Sequence, residues 1–404
     1  MLILVVNSGS SSIKYRLIDM PTGVTWATGL VERIGEVGSS IRHESYIANG
    51  PDAAPDISHD EVPIPSHADG FDLVHRMFNE AGGVTSVGKL GAVGHRVVHG
   101  GSKFAGPVIV DDDVMKDIEQ LFALAPLHNP ANLAGIQSAK LTYPAVPHVA
   151  VFDTAFHQTM PPAAFTYAID RSVAERYGVR RYGFHGTSHR YVSERAAEFL
   201  GIAFDEFRAV TLHLGNGASA CAIASGRSVD TSMGLSPLEG LVMGTRSGDV
   251  DPAIVSHLVN QADLSAAEVD SLLNKASGLK GLTGVNDLRE VHALIDSGDV
   301  AARIGLDVYT HRLTKYIGAY LAVLGGADAI VFTGGVGEND PIVRRAAVQS
   351  LGVFGVRIED SLNAQTRGPK SVTDISTNDS QVRVLVIPTD EEFEIATQAW
   401  SLVG

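Results

Sequence analysis

The chain has 404 residues, 45% of them hydrophobic, with 42 glycines and 17 prolines. This is the make-up of a loop-rich α/β protein of two or three domains, not of a disordered chain. A net charge of −15 argues against nucleic acid or an anionic membrane as partner, and an anionic ligand must be held against that field by a few clustered cations. The single cysteine, Cys221, excludes an internal disulfide and fits a reducing cytosol.

In chain order, the apolar run at 2–6 predicts a buried strand, followed by the turn Asn7-Ser8-Gly9-Ser10-Ser11-Ser12 and a second strand over 13–18. The chain opens on this strand without the basic region or cleavage site of a secretion signal, so none is expected. A third strand is expected over 24–31, then an irregular excursion with some strand over 35–65. Phe71, Val74, Met77 and Phe78 recur at helical spacing within 69–81. A strand over 90–98 leads into His95-Arg96-Val97-Val98-His99-Gly100-Gly101. Helices over 112–124 and 130–141 and a buried strand over 146–152 close the first half.

The second half opens on Asp153-Thr154-Ala155-Phe156-His157. A helix to about residue 200 is expected to take Thr187 or Ser188 as N-cap. Strands over 209–214 and 220–224 flank the turn Gly215-Asn216-Gly217-Ala218-Ser219. This hairpin matches the one around Asn7 in kind and predicts an internal repeat. Ser265-Ala266-Ala267-Glu268 is a capping box, and a long helix over 300–324 stops at Gly325-Gly326. A strand then runs into the Gly-rich turn around Gly335-Val336-Gly337-Glu338-Asn339, and a helix follows with Pro341 at its first position. A strand over 382–387 precedes Pro388-Thr389-Asp390-Glu391-Glu392, which opens a last helix. The apolar stretch 317–332 is too short and too interrupted to span a bilayer.

Three Gly-rich turns at strand ends are suited to cradling phosphates through backbone N–H groups. No Gly-x-x-x-x-Gly-Lys-Ser/Thr occurs, which excludes a P-loop. Gly215 to Ala220 formally matches a dinucleotide fingerprint, but no helix follows and Asp230 stands too close. His185 and His189 lie four apart without the Glu of a zinc hydrolase motif. Arg96 and Arg246 each lie in a Gly-flanked loop, where a guanidinium can clamp a carboxylate or phosphate in bidentate fashion. Asp153 ends a buried strand, where a charge needs a partner. Glu391, with Asn7, offers oxygen ligands suited to hydrated magnesium.

The segments VVNSGSSSIKY, GHRVVHGG, APLHNPAN, VFDTAFH, YGFHGTSH, HLGNGAS, MGTRSGD, FTGGVGEN and PTDEE resemble, in this order, the motifs of the acetate kinase family across essentially the whole chain. The resemblance implies an α/β, duplicated two-domain actin-like (ribonuclease H-like) ATPase fold with an interdomain active-site cleft. Its domains are expected at 1–150, joined by the C-terminal helix 389–404, and at 151–388. It also implies catalytic roles for Asp153, His185 and Arg246. Arg96 matches the residue that binds the substrate carboxylate, and Val98, Leu127, Phe184 and Pro237 match the pocket for the acyl methyl. Lys14, His213, Leu214, Gly215, Asn216, Gly217, Asp287, Leu288, Arg289, Gly335, Val336, Gly337, Glu338 and Asn339 match nucleotide-binding positions, and Asn7 and Glu391 the magnesium ligands. Many relatives carry an aromatic residue where this chain has Leu288. The implied reaction is reversible, Mg²⁺-dependent (Mn²⁺ substituting) transfer from ATP to acetate, giving acetyl phosphate and ADP, in a cytoplasmic homodimer with no nucleic-acid or membrane partner. A carboxylate is already a nucleophile, so Asp153 is expected mainly to orient arginine, water or the metal. The alternatives are a propionate or butyrate kinase, and a non-kinase ATPase of the same fold.

Overall fold

The two apolar runs that follow the predicted repeat are inner strands of two separate sheets. In the computed structural model, which describes residues 1–81, 83–84 and 87–404, the chain divides into one unit of residues 1–155 and 390–404 and a second of residues 156–389.

The first unit holds β1 (Leu2–Ser8), β2 (Ser12–Asp19), β3 (Val24–Glu32), β4 (Ser40–Ser45), β5 (Asp56–Glu61), β6 (Leu90–Val97), β7 (Val108–Ile109) and β8 (His148–Phe152), in the sheet order β5-β4-β3-β2-β1-β6-β8-β7. The second holds β9 (Arg208–Leu214), β10 (Ala218–Ala224), β11 (Arg227–Thr231), β12 (Ala329–Thr333), β13 (Thr373–Asp374) and β14 (Arg383–Val386), in the order β11-β10-β9-β12-β14-β13. The segment β3-β2-β1-β6-β8-β7 matches the whole second sheet strand for strand. In both, the first three strands are antiparallel, the next two pairings are parallel, and the last strand runs antiparallel. The fold is a duplicated α/β architecture.

β1 is buried on both faces, and its period of two sorts the side chains. Leu2, Leu4 and Val6 pack with Phe71, Val74 and Phe78 of the helix His67–Glu80. Ile3 and Val5 pack with Ile395, Ala396 and Ala399 of the last helix, Glu391–Val403. Each such Leu, Ile, Val or Phe side chain contributes roughly 1.5–3 kcal/mol when fully buried. That pairing ties the chain's end to its first strand and fixes Glu391 at a helix start in the first unit. In the second unit, Ala209, Ala329, Val331 and Leu385 pack beneath Val192, Ala196 and Ala197 of the helix Gly186–Leu200.

The excursion expected to hold some strand supplies β4 and β5, with β5 at the sheet edge. Two local expectations are corrected. The helix expected to be capped by Thr187 or Ser188 starts earlier, at Gly186, with His185 as N-cap in a left-handed backbone (φ 57°). Residues Gly334–Asn339 form a short helix rather than a turn, entered through Gly334 at φ +77°, where a Cβ would meet Leu214 O at 2.7 Å.

Candidate active site

In the first unit, β1, β6 and β8 are neighbouring parallel strands, so their carboxyl ends deliver Asn7, Arg96 and Asp153 side by side. Asp153, 1% exposed, follows β8 and donates its backbone N–H to Val97 O at 3.0 Å. Arg96 donates from Nε to both Asp153 oxygens at 3.1 Å and from Nη2 to Oδ2 at 2.5 Å. Its Nη1 lies 3.5 Å from Asn7 Oδ1. Burial works against the Arg96 charge, but the carboxylates of Asp153, Glu391 and Glu392 hold its pKa above the usual arginine range. One edge of the guanidinium is thus occupied by Asp153, and the Nη1 side remains for an anion.

Glu391 Oε1 is buried and, among the described residues, meets no hydrogen-bond donor. A buried carboxylate oxygen and an Asn amide oxygen are hard donors of the kind that magnesium takes. Among the described residues no group of three or more His, Cys, Asp or Glu could hold a metal by itself, so magnesium here would keep most of its water.

Lys14, on β2, pairs with Glu392 at 2.5 Å and is largely exposed. The expected apolar pocket residues of this unit differ. Val98 is buried, its N–H bound to Asn132 Oδ1 at 3.0 Å, whereas Leu127 is 70% exposed. Asn132, which also donates to Ser8 O at 2.7 Å, was not singled out from the sequence, although its motif was.

In the second unit, the β9–β10 turn is the centre. A Cβ built on Gly217 would lie 3.5 Å from Arg246 Nη1 and 3.6 Å from His185 Cε1, so both side chains converge where glycine leaves room. His185 Nδ1 is 2.8 Å from Ser219 Oγ, and its ring stacks on His213 at 4.3 Å. Among the described residues Arg246 has no carboxylate partner. Its Nη1 donates to Pro237 O at 3.4 Å and approaches Met243 Sδ at 3.9 Å, and burial lowers its pKa. A half-buried arginine without a counter-ion is costly and is suited to receiving an anion. Phe184 is buried beside His185, and its carbonyl accepts from His157 Nε2 at 3.0 Å.

A cavity of about 810 Å³ opens beside this turn, the size of a nucleotide-scale pocket. It is lined by Gly215, Asn216, Asp287, Leu288, Arg289, Gly335, Val336 and Asn339, all among the positions that the sequence resemblance matches to the nucleotide. Asp287 caps the helix Leu288–Asp296 and is held down at about 2 by its hydrogen bond to Arg289. His213, Leu214, Gly217, Gly337 and Glu338 do not line it. Glu338 Oε1 instead accepts from Gly334 N at 2.9 Å and Thr389 N at 3.1 Å, and Gly337 O accepts from the fully buried Arg344 at 2.8 Å. Both shape the loop rather than face the cavity. Sequence reasoning missed the lining pair His292 and Asp340, bonded at 2.7 Å. No local pattern marks a contact between residues 48 positions apart.

The family model described as the acetokinase family matches residues 2–397. The chain belongs to the acetokinase family. A curated acetate kinase of Leifsonia xyli subsp. xyli is 55% identical over 402 residues, covering 100% of this chain and 99% of that protein. The crystal structure of Porphyromonas gingivalis acetate kinase matches with a TM-score of 0.92 at 43% identity, over 100% of each chain. A propionate kinase from Francisella tularensis subsp. tularensis matches with a TM-score of 0.89 at 39% identity, over 98% of each chain. The duplicated actin-like fold expected from the sequence motifs is the fold of this acetokinase family member.

Proposed function

We propose that the protein is an acetate kinase that transfers the γ-phosphoryl group of ATP directly to acetate, reversibly, giving acetyl phosphate and ADP. The observation that carries this reading is the convergence of Arg246, which has no carboxylate partner among the described residues, and His185 on the Gly217 turn beside a nucleotide-sized cavity. Phosphoryl transfer asks the protein for positioning and charge stabilisation. The cavity holds ADP and its phosphates, with Asp287 to Arg289 and Gly335 to Asn339 around the nucleoside. Arg246 and His185 donate to the equatorial oxygens of the phosphoryl group in flight.

Within the first unit, the acetate carboxylate rests on Arg96, oriented through its Asp153 pair, and Val98 and Leu127 are the candidates to meet its methyl. One carboxylate oxygen forms a bond to the γ-phosphorus while the bond to the β–γ bridging oxygen breaks, and that electron pair leaves with ADP. No proton needs to be removed, so Asp153 acts by holding Arg96. Asn7 and Glu391 are the residues that hold Mg²⁺ (or Mn²⁺), which when bound neutralises charge on the phosphates. Lys14 adds a further cation toward the nucleotide. The reading extends to a cytoplasmic homodimer; among the described residues no helix is long and apolar enough to cross a membrane.

The resemblance to a propionate kinase favours one second reading, in which a three-carbon acid is the better acceptor. The test is product identification. With acetate, ATP and Mg²⁺, hydroxylamine is expected to trap one acetyl hydroxamate for each ADP formed. Arg96→Ala should raise the KM for acetate with little change in the KM for ATP. ADP formed without hydroxamate would reject the proposal.

A further inference from the structure

The second unit contains a buried chain of hydroxyls and imidazoles that ends on His185. Thr211 Oγ1 is 2.7 Å from His189 Nδ1, His189 Nε2 is 2.8 Å from Ser219 Oγ, and Ser219 Oγ is 2.8 Å from His185 Nδ1. Thr211, His189 and Ser219 are all fully buried. We infer that Ser219, held by His189 and Thr211, is a positioning residue that fixes the tautomer of His185, so that the ring presents an Nε2–H donor toward the Gly217 turn.

Donor counting carries the inference. Among the described residues, the only hydrogen-bond partner of the Thr211 hydroxyl is His189 Nδ1. A buried hydroxyl proton needs an acceptor, so Thr211 donates and His189 Nδ1 accepts. Burial keeps His189 neutral, pulling its pKa well below the usual histidine range. The one proton of its ring therefore sits on Nε2 and is donated to Ser219 Oγ. Ser219 has only two partners among the described residues, His189 and His185. Its own proton has one acceptor left, His185 Nδ1. Neutral His185 must then carry its proton on Nε2, the atom that lies 3.7 Å from where a Gly217 Cβ would stand. The opposite arrangement would strand the Thr211 proton in the core, with no acceptor in place of water.

The stack of His213 on His185, at 28° between ring planes, holds the same ring from its face. Tautomer and plane are thus set by groups that do not themselves reach the turn. A neutral imidazole presenting a lone pair instead of N–H would repel the oxygens of a phosphoryl group, so the direction of this chain decides whether His185 helps or hinders. The inference rests on the proposed role of His185 as a donor to that group.

The test is made on the full chain. In ¹⁵N-histidine-labelled protein near neutral pH, long-range ¹H–¹⁵N spectra, with His185→Gln assigning the signals, should show His185 in the Nε2–H form. Thr211→Val, which removes the first donor without touching His185, should introduce the Nδ1–H form. Ser219→Ala should lower kcat about ten- to hundredfold while both KM values stay within about threefold. An Nδ1–H His185 in the unaltered protein, or a Ser219→Ala kcat within about twofold of it, would overturn the inference. His185→Ala separates the two layers. If it loses activity while Ser219→Ala does not, only the positioning role fails. If His185→Ala keeps full kcat, the donor role fails and the inference with it.

Discussion

Replacing Arg246 with alanine is expected to separate activity from stability. Among the described residues the guanidinium makes no ion pair; its contacts are the Pro237 carbonyl at 3.4 Å and the Met243 sulfur at 3.9 Å. Burial already disfavours its charge, so deleting that charge forfeits no salt bridge and relieves a desolvation cost. Folding stability should stay level or rise. Catalysis should behave differently. Removing one preorganised donor to transition-state charge costs about 10²–10³ in kcat, or about 2.7–4 kcal/mol. The assay is coupled ADP release with saturating acetate and ATP, run beside urea unfolding of both proteins. Added guanidinium ion should restore part of the lost rate, because the space left is that of the missing group. A kcat loss below about tenfold, roughly 1.4 kcal/mol, would refute the transition-state role. A large fall in the unfolding midpoint would show that Arg246 is structural.

Gly217→Ala should fold normally, since the added Cβ sits at ordinary contact distance, 3.5 Å from Arg246 and 3.6 Å from His185; kcat should nevertheless fall about tenfold or more because the methyl occupies the phosphoryl position. Glu391→Gln should raise the Mg²⁺ concentration for half-maximal rate about tenfold; an unchanged Mg²⁺ requirement would remove it from the metal site. Acid should weaken the first unit through His43, whose pKa burial lowers from 6.5 to about 4. The folded state resists protonation, so stability is complete above pH 6.5 and is lost as pH falls toward 4, by at most about 3 kcal/mol. Urea midpoints at pH 7 and pH 4.5 should differ less in His43→Leu than in the unaltered chain.

The parts of the fold that were legible in the sequence are those with strong local periodicity. β1 and β9 are continuous apolar runs ending in Gly/Ser/Asn turns, and their likeness announced the duplicated sheets. The long helix Val300–Leu324 carries its own start, Asp299, and stop, Gly325 at φ 64°. Over 35–65 some strand was expected, but the bounds of β4 and β5 escaped because polar, part-exposed strands carry no apolar run, and β7 escaped because two residues make no pattern. The cap of Gly186–Leu200 was misplaced because His185 takes a left-handed backbone that histidine seldom adopts. That same residue lies against the Gly217 turn, where local rules give way to a site.

Side-chain pairing was legible only in outline. A charge at the end of a buried strand demanded a partner, and Arg96 is the partner of Asp153. The identity of that partner depends on β6 and β8 lying side by side, which no spacing along the chain encodes. The Thr211–His189–Ser219–His185 chain likewise joins residues brought together by sheet and helix packing. Leu127 could be named from its motif but not its exposure.

The most direct test of the account is the acid dependence of ADP release. The purified chain is given ATP and Mg²⁺ with acetate, propionate, butyrate or no acid, and kcat/KM is measured for each. Turnover is expected only with acid present, and with acetate the best acceptor. ADP release at the same rate without any acid would contradict the account and mark the chain as an acid-independent ATPase.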